Sequence, residues 1–181
     1  MTHPIRIGKI GHVGLYCRDL QRMVDFYTRV LGFTITDRGA LGDYEVVFLS
    51  RDPRDHHQIV LANGRPPGSF NMVNQISLRC ANIGDLRKVH AAVVAEGAKN
   101  IAPIDHGLAW SVYFHDPEGC RVEVFMDTPW YIYQPHRDPL DLSLSDEELY
   151  RVSEAKCRQS PTFKLMRDWQ AEIASKMGVA A

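Results

Sequence analysis

The amino-acid sequence predicts an α+β fold: two tandem βαβββ modules forming a shared cavity, followed by a C-terminal helical tail. Three observations lead there. Runs of alternating or β-branched apolar residues surround a single amphipathic helix, and that order occurs twice. Matched polar residues stand at matched places in the two copies, and the chain beyond residue 133 carries helical rather than strand periodicity.

In the first copy, KIGHVGLY alternates small or polar with apolar residues, as a half-buried strand does. DLQRMVDFYTRVLGF follows as a helix, with apolar residues at Leu20, Met23, Val24, Tyr27, Val30 and Leu31, Asp19 placed to cap it and Gly32 to end it. FTITDR, DYEVVFLS and HHQIVLAN read as three strands, the first two joined by a Gly-containing turn. NGRPPGSF, residues 63–70, reads as a linker. The second copy runs VNQISLRC as strand, IGDLRKVHAAVVAEGA as helix, then strands near Lys99–Pro103, Trp110–His115 and Arg121–Met126. In the tail, Ser145 and Glu148 of SLSDEELY form a capping-box pattern that opens a helix to about Gln159. Pro161 interrupts it, and a second helix over 162–177 places Phe163, Met166, Trp169 and Ile173 on one face. That apolar stripe must pack across the chain's own sheet or onto a partner subunit, and Trp130, Tyr131 and Tyr133 read as a lid over a pocket mouth or as core.

The composition narrows the function. With 181 residues, 45% of them hydrophobic, the chain can bury a core without disulfide staples. A net charge of −1 with no long block of one sign excludes the electrostatic footprint of a nucleic-acid or membrane-surface binder and favours a small-molecule ligand. No apolar run approaches the ~20 residues that span a bilayer, and MTHPIRIGKIGHV lacks a signal-peptide core, so a cytoplasmic location is expected. Cys17, Cys80, Cys120 and Cys157 form no CxxC pair, which argues against a thiolate zinc site.

Aligning the copies sets His12 against Gln75 in the first strands and Gln58 against Glu123 in the last. Period-two geometry then gives these four residues equivalent inward positions facing one cavity.

The duplicated unit, GHVGLYC near the start and HGLAWSVYFHDPEGCRVEVF near the end resemble the vicinal-oxygen-chelate superfamily, which includes glyoxalase I, bleomycin-resistance proteins and type I extradiol dioxygenases. Within it the chain is most similar to the catalytic half of catechol 2,3-dioxygenases. The resemblance covers residues 7–133, as modules 7–63 and 71–127, and leaves 134–181 as a helical extension. It implies His12 and Glu123 as metal ligands, His56 as the acid/base histidine in preference to His57, because strand alternation points His56 and Gln58 to the same side, and His106 and Tyr113 as contacts to the substrate's ring hydroxyls. The second histidine ligand of those dioxygenases aligns with Gln75, a departure that substitutes a weaker oxygen donor while keeping the ligand neutral. Fe(II) is the metal the resemblance implies first, with Mn(II), Ni(II) or Zn(II) as alternatives. The implied activity is extradiol cleavage of a catechol or related aromatic vicinal diol by O2 in a homodimer. Gln75 keeps open two other readings: a glyoxalase-like lyase or isomerase, and a metal-free binding protein of the bleomycin-resistance kind.

Overall fold

A computed structural model describes residues 9–179, so residue 7, where the first module was expected to begin, and His3 lie outside the described residues. The first module begins with β1 (Val13–Cys17), in which Val13, Leu15 and Cys17 pack into the core and Gly14 and Tyr16 look the other way. Helix α1 (Leu20–Asp25) follows, its first turn capped by the Asp19 carboxylate, which accepts from the Arg22 amide at 3.0 Å. The uninterrupted α-helix expected to Leu31 is instead finished by a π-helical turn, Phe26–Val30. The wider turn lets two consecutive aromatic residues, Phe26 and Tyr27, both enter the core. Three strands complete the module: β2 (Thr34–Leu41), β3 (Tyr44–Ser50) and β4 (Ile59–Asn63), in the sheet order β1-β4-β3-β2.

The second module repeats this plan with β5 (Ile76–Arg79), α2 (Ile83–Ala95), β6 (Lys99–Asp105), β7 (Ala109–His115) and β8 (Arg121–Asp127). Asn82 caps α2 by accepting from the Asp85 amide at 2.9 Å. In both modules the first strand lies parallel to the last, with Val13 opposite Ile59 and Ile76 opposite Val122, an offset of 46 each time (59 − 13 and 122 − 76). This register corrects the sequence alignment. The residue of the first module equivalent to Glu123 is Val60, not Gln58, and the residue directly across from Glu123 is Ser77.

The tail wraps the second module. Strand β9 (Trp130–Tyr131) leads to β10 (Asp138–Pro139), which extends the second sheet at the β6 edge to the order β10-β6-β7-β8-β5. Helix α3 (Asp146–Cys157) is capped by Ser145, which accepts from the Glu148 amide at 3.2 Å, while the Glu148 carboxylate pairs with Arg151 rather than completing a reciprocal box. The last helix, α4 (Met166–Met177), starts four residues later than expected because Lys164–Leu165, strand β11, pairs with β9. Trp130 is core, against Trp110 and Tyr150, and Tyr131 stacks on Trp169 at 5.2 Å, so neither forms a lid. No helix among the described residues is long and apolar enough to cross a membrane.

One hydrophobic core joins the modules on their helix sides. It unites Val47, Leu49 and Leu61 of the first sheet with Val112, Phe114 and Val122 of the second. Phe26 packs at 6.2 Å from Phe114, and Arg29 pairs with Glu96 at 2.6 Å. The Asp-Pro-Glu-Gly turn is part of this joint. Asp116 holds the turn by accepting from the Glu118 and Cys120 amides at 3.0 and 2.8 Å. The Glu118 carboxylate reaches the start of α1, accepting from the Arg18 amide and, at 2.8 Å, from the Asp19 amide, and pairs with Arg65 at 3.1 Å. With the helix sides bound together, the opposite face of each sheet looks away from the common core.

Candidate functional site

The outer face of the second sheet carries a connected polar cluster. Along β8, Val122, Val124 and Met126 enter the core, and strand alternation sends Glu123 to the other face, where it is only 8% exposed. Ser77 donates to its Oε2 at 2.5 Å, Gln75 Nε2 donates to the same oxygen at 3.0 Å, and Ser111 donates to Oε1 at 2.7 Å. Burial opposes ionisation of Glu123. The contacts from Ser77, Tyr113 and Ser111 and the facing His106 imidazole outweigh it and hold the carboxyl below its ordinary pKa.

Tyr113 lies across the β7–β8 ladder from Glu123, and its hydroxyl is 2.9 Å from His106 Nε2. That nitrogen is in turn 3.9 Å from Glu123 Oε1. His106 Nδ1 lies 2.8 Å from the His136 carbonyl oxygen, which can only accept, so Nδ1 carries a proton and Nε2 is turned to the Tyr113 hydroxyl and Glu123. Burial, then the neighbouring Glu123, pushes the Tyr113 phenol up to about 12, keeping its proton in place at neutral pH. The tail holds His106: Gln134 Nε2 donates to the His106 carbonyl at 2.8 Å, and Gln134 Oε1 accepts from the His136 amide at 3.1 Å.

The first module presents a groove of about 590 Å³ on its own outer face, lined by His12, Gly14, Val46, Phe48, His57 and Val60. His12 is exposed just before β1, its ring 4.3 Å from that of His57. Residues His56–Gln58 precede β4, so the strand alternation that paired His56 with Gln58 does not operate there. His57 borders the groove, whereas His56 Nε2 is 2.8 Å from Asp37 and its Nδ1 is 2.8 Å from His57 Nδ1. Burial first, then the neighbouring His12 and His56, lowers the His57 pKa and favours its neutral form. Gln58 serves the loop instead, accepting from the Arg51 amide at 3.0 Å and donating to Asp55 at 3.3 Å.

The structure therefore brings Gln75, His106, Tyr113 and Glu123 together and places His12 and His56 on the other sheet. Among the described residues, no group of three or more His, Cys, Asp or Glu side chains converges as a metal site. Ser77 and Ser111, which sequence reasoning passed over, stand two residues from Gln75 and Tyr113, and period two alone puts them on the Glu123 face.

Residues 9–124 match the model of the glyoxalase/bleomycin resistance protein/dioxygenase superfamily. The chain belongs to this superfamily. Among curated members it is 28% identical over 125 residues to biphenyl-2,3-diol 1,2-dioxygenase 2 of Rhodococcus globerulus, covering 66% of this chain and 63% of that one. It is 29% identical over 137 residues to metapyrocatechase of Pseudomonas sp. (strain CF600), covering 74% of this chain and 43% of the relative. A glyoxylase/bleomycin resistance protein/dioxygenase domain from Frankia sp. EAN1pec superposes with a TM-score of 0.60 at 21% identity, covering 68% of this chain and all of that one. The superfamily fold is thus the duplicated core, and the helices after residue 133 lie outside the matched segment.

Proposed function

We propose that this chain is a metal-dependent extradiol-type dioxygenase acting on a catechol or related aromatic vicinal diol, and that it works as a homodimer. The observation that carries the reading is the Tyr113–His106 hydrogen bond set beside a buried Glu123 whose pKa is lowered. A diol must be held by two oxygens and relieved of protons. A fixed phenol and an oriented imidazole next to a carboxylate suit that task.

The donor set fits a divalent cation only in part within one chain. Glu123 and the Gln75 side-chain amide are neighbours beside one sheet, with the amide nitrogen turned to the carboxylate, so Gln75 offers its oxygen to a cation only if the amide turns over, while His12 looks out from the other. A two-fold pairing that lays the first module of one chain over the second module of another sets His12 of the partner subunit opposite Glu123 and closes two equivalent sites. Tyr16, 58% exposed, and Tyr44, 42% exposed, give the first module's outer face an apolar component for such a contact. The groove beside His12, with Val46, Phe48 and Val60, then walls the ring of the substrate. Fe(II) held there supplies Lewis acidity and the one-electron chemistry that O2 requires. Tyr113 donates its hydroxyl proton to a substrate oxygen in place of His106. His106 stays fixed by the His136 carbonyl with Nε2 turned to the site, and His57, facing the groove with its pKa lowered, takes the acid/base part foreseen for His56.

The test is anaerobic loading with Fe(II), metal analysis, and oxygen uptake over a panel of catechols with detection of the coloured ring-opened product. One iron per chain with oxygen consumed one-for-one against diol is the expected result. Stoichiometric iron with no diol consuming oxygen rejects dioxygenation in favour of a glyoxalase-like rearrangement, and failure to bind Fe(II), or Mn(II), Ni(II) or Zn(II) offered in parallel, favours a binding protein.

A further inference from the structure

A second cavity, of about 450 Å³, opens on the same face of the second sheet, lined by Asn100, Tyr113, His115, Arg121 and Arg137 among others. It owes its shape to a bulge in β6 between Lys99 and Ala102, where Asn100 adopts φ +56 and its amide nitrogen lies 3.1 Å from His115 Nδ1. The cavity adjoins the proposed reaction centre through Tyr113, whose hydroxyl belongs to the His106 pair and whose ring supports the Arg121 guanidinium at 4.2 Å. Arg121 and Glu123 are alternate residues of β8 on one face, about 7 Å apart, a span comparable to one substituted benzene ring.

Among the described residues, neither Arg121 nor Arg137 has a carboxylate within ion-pair distance, and unlike Arg18, Arg22, Arg38 and Arg51, which also lack one, these two line the same cavity. Arg121 instead sits over the Tyr113 ring, its guanidinium carbon 4.2 Å from the ring centroid, a contact through the guanidinium face that does not use the N–H groups a planar bidentate acceptor needs. Asp138, the nearest acidic neighbour of Arg137 in sequence, is engaged by Lys156 at 3.6 Å and His136 at 3.7 Å.

We propose that this cavity is an anion subsite that holds a carboxylate borne by the substrate, with Arg121 and Arg137 as the specificity-determining residues. The substrate class is then an aromatic vicinal diol carrying a carboxylate substituent. The inference rests on the dioxygenase reading for the ring, while the anion subsite stands on the second module's own geometry.

The iron-loaded protein is assayed with the matched pair 3,4-dihydroxyphenylacetate and 4-methylcatechol. The expected kcat/KM favours the carboxylate by about tenfold to a hundredfold, the worth of one charge-assisted hydrogen-bonded pair. Arg137→Gln should lower that ratio about tenfold, and Arg121→Lys, which keeps charge but loses the fork, should retain part of it. A parallel NMR titration of the metal-free protein uses phenylacetate, with benzyl alcohol as the neutral control; circular dichroism confirms that the variants fold. Saturable shifts with phenylacetate alone, weakened in Arg137→Gln, support the subsite even if no diol is cleaved, in which case only the dioxygenase reading fails. Diols cleaved with a ratio near one, a ratio indifferent to Arg137→Gln, or absence of both turnover and phenylacetate binding overturns the subsite.

Discussion

Pairing a His12→Ala chain with a Glu123→Gln chain tests whether the site is shared between two copies. Within one chain the two residues stand on sheet faces that both look away from the common core, so each proposed site draws His12 and Glu123 from different subunits. A homodimer of either variant has two damaged sites, and its activity should fall by more than the ~10- to 100-fold lost when even a residue that merely supports a ligand is removed. A heterodimer gathers both substitutions into one site and leaves the other intact. Random reassociation makes about half of the dimers mixed, each with one of two sites whole, so about a quarter of wild-type activity should return. Purified mixed dimers, isolated by two affinity tags, should show about half. His12 is exposed and Glu123→Gln keeps the side-chain shape, and circular dichroism of each variant separates a loss of folding from a loss of the site. The assay is oxygen uptake on the best diol of the panel. Mixed dimers no more active than the parent variants would refute the shared site, because that is the outcome if each chain builds its own.

Three further measurements probe the supports of the site. Ser153 Oγ accepts from Trp110 Nε1 at 3.0 Å and donates to Asp105 Oδ2 at 2.6 Å, all three residues being buried, so Ser153→Ala should cost roughly 2–4 kcal/mol in urea unfolding. A loss below ~1 kcal/mol would show that this network does not anchor α3. Gly107 holds φ +75, and an added Cβ would stand 2.5 Å from Ile132, so Gly107→Ala should lower thermal stability by roughly 2–5 kcal/mol and disturb the adjacent His106; an unchanged melting temperature would contradict it. Because the folded protein lowers the Glu123 pKa, Glu123 contributes stability that is complete above the ordinary glutamate value of about 4.3 and is lost as pH falls through the folded one. In the metal-free protein, Glu123→Gln should therefore flatten the acid limb of the stability–pH curve, and an unchanged limb would place the acid sensitivity elsewhere.

Much of the candidate site was legible because its members are close in sequence. Tyr113 and Glu123 flank one tight turn, and once Asp116 and Gly119 set that turn the ladder must place the two opposite each other. His106 follows β6 directly and needs only a short loop to reach Tyr113. The alignment of Gln58 with Glu123 misled, because matching polar letters ignores the ladder offset that backbone pairing imposes. His57 was set aside by an alternation rule that holds only inside strands, and the strand starts at Ile59. The tail's grip on His106 through Gln134 and the His136 carbonyl left no pattern in the sequence, since a backbone acceptor has no letter.

Hydrophobic period, capping residues and internal duplication, all local properties of the chain, determined the elements, the module plan and which residues share a sheet face. They did not determine where the two faces point. That was decided by packing between distant residues, Phe26 against Phe114 and Glu118 over the start of α1, which binds the helix sides of both sheets into one core. A period of two distinguishes the faces of a strand but carries no information about the direction of a face in space, so the separation of His12 from Glu123 exists only in the tertiary structure.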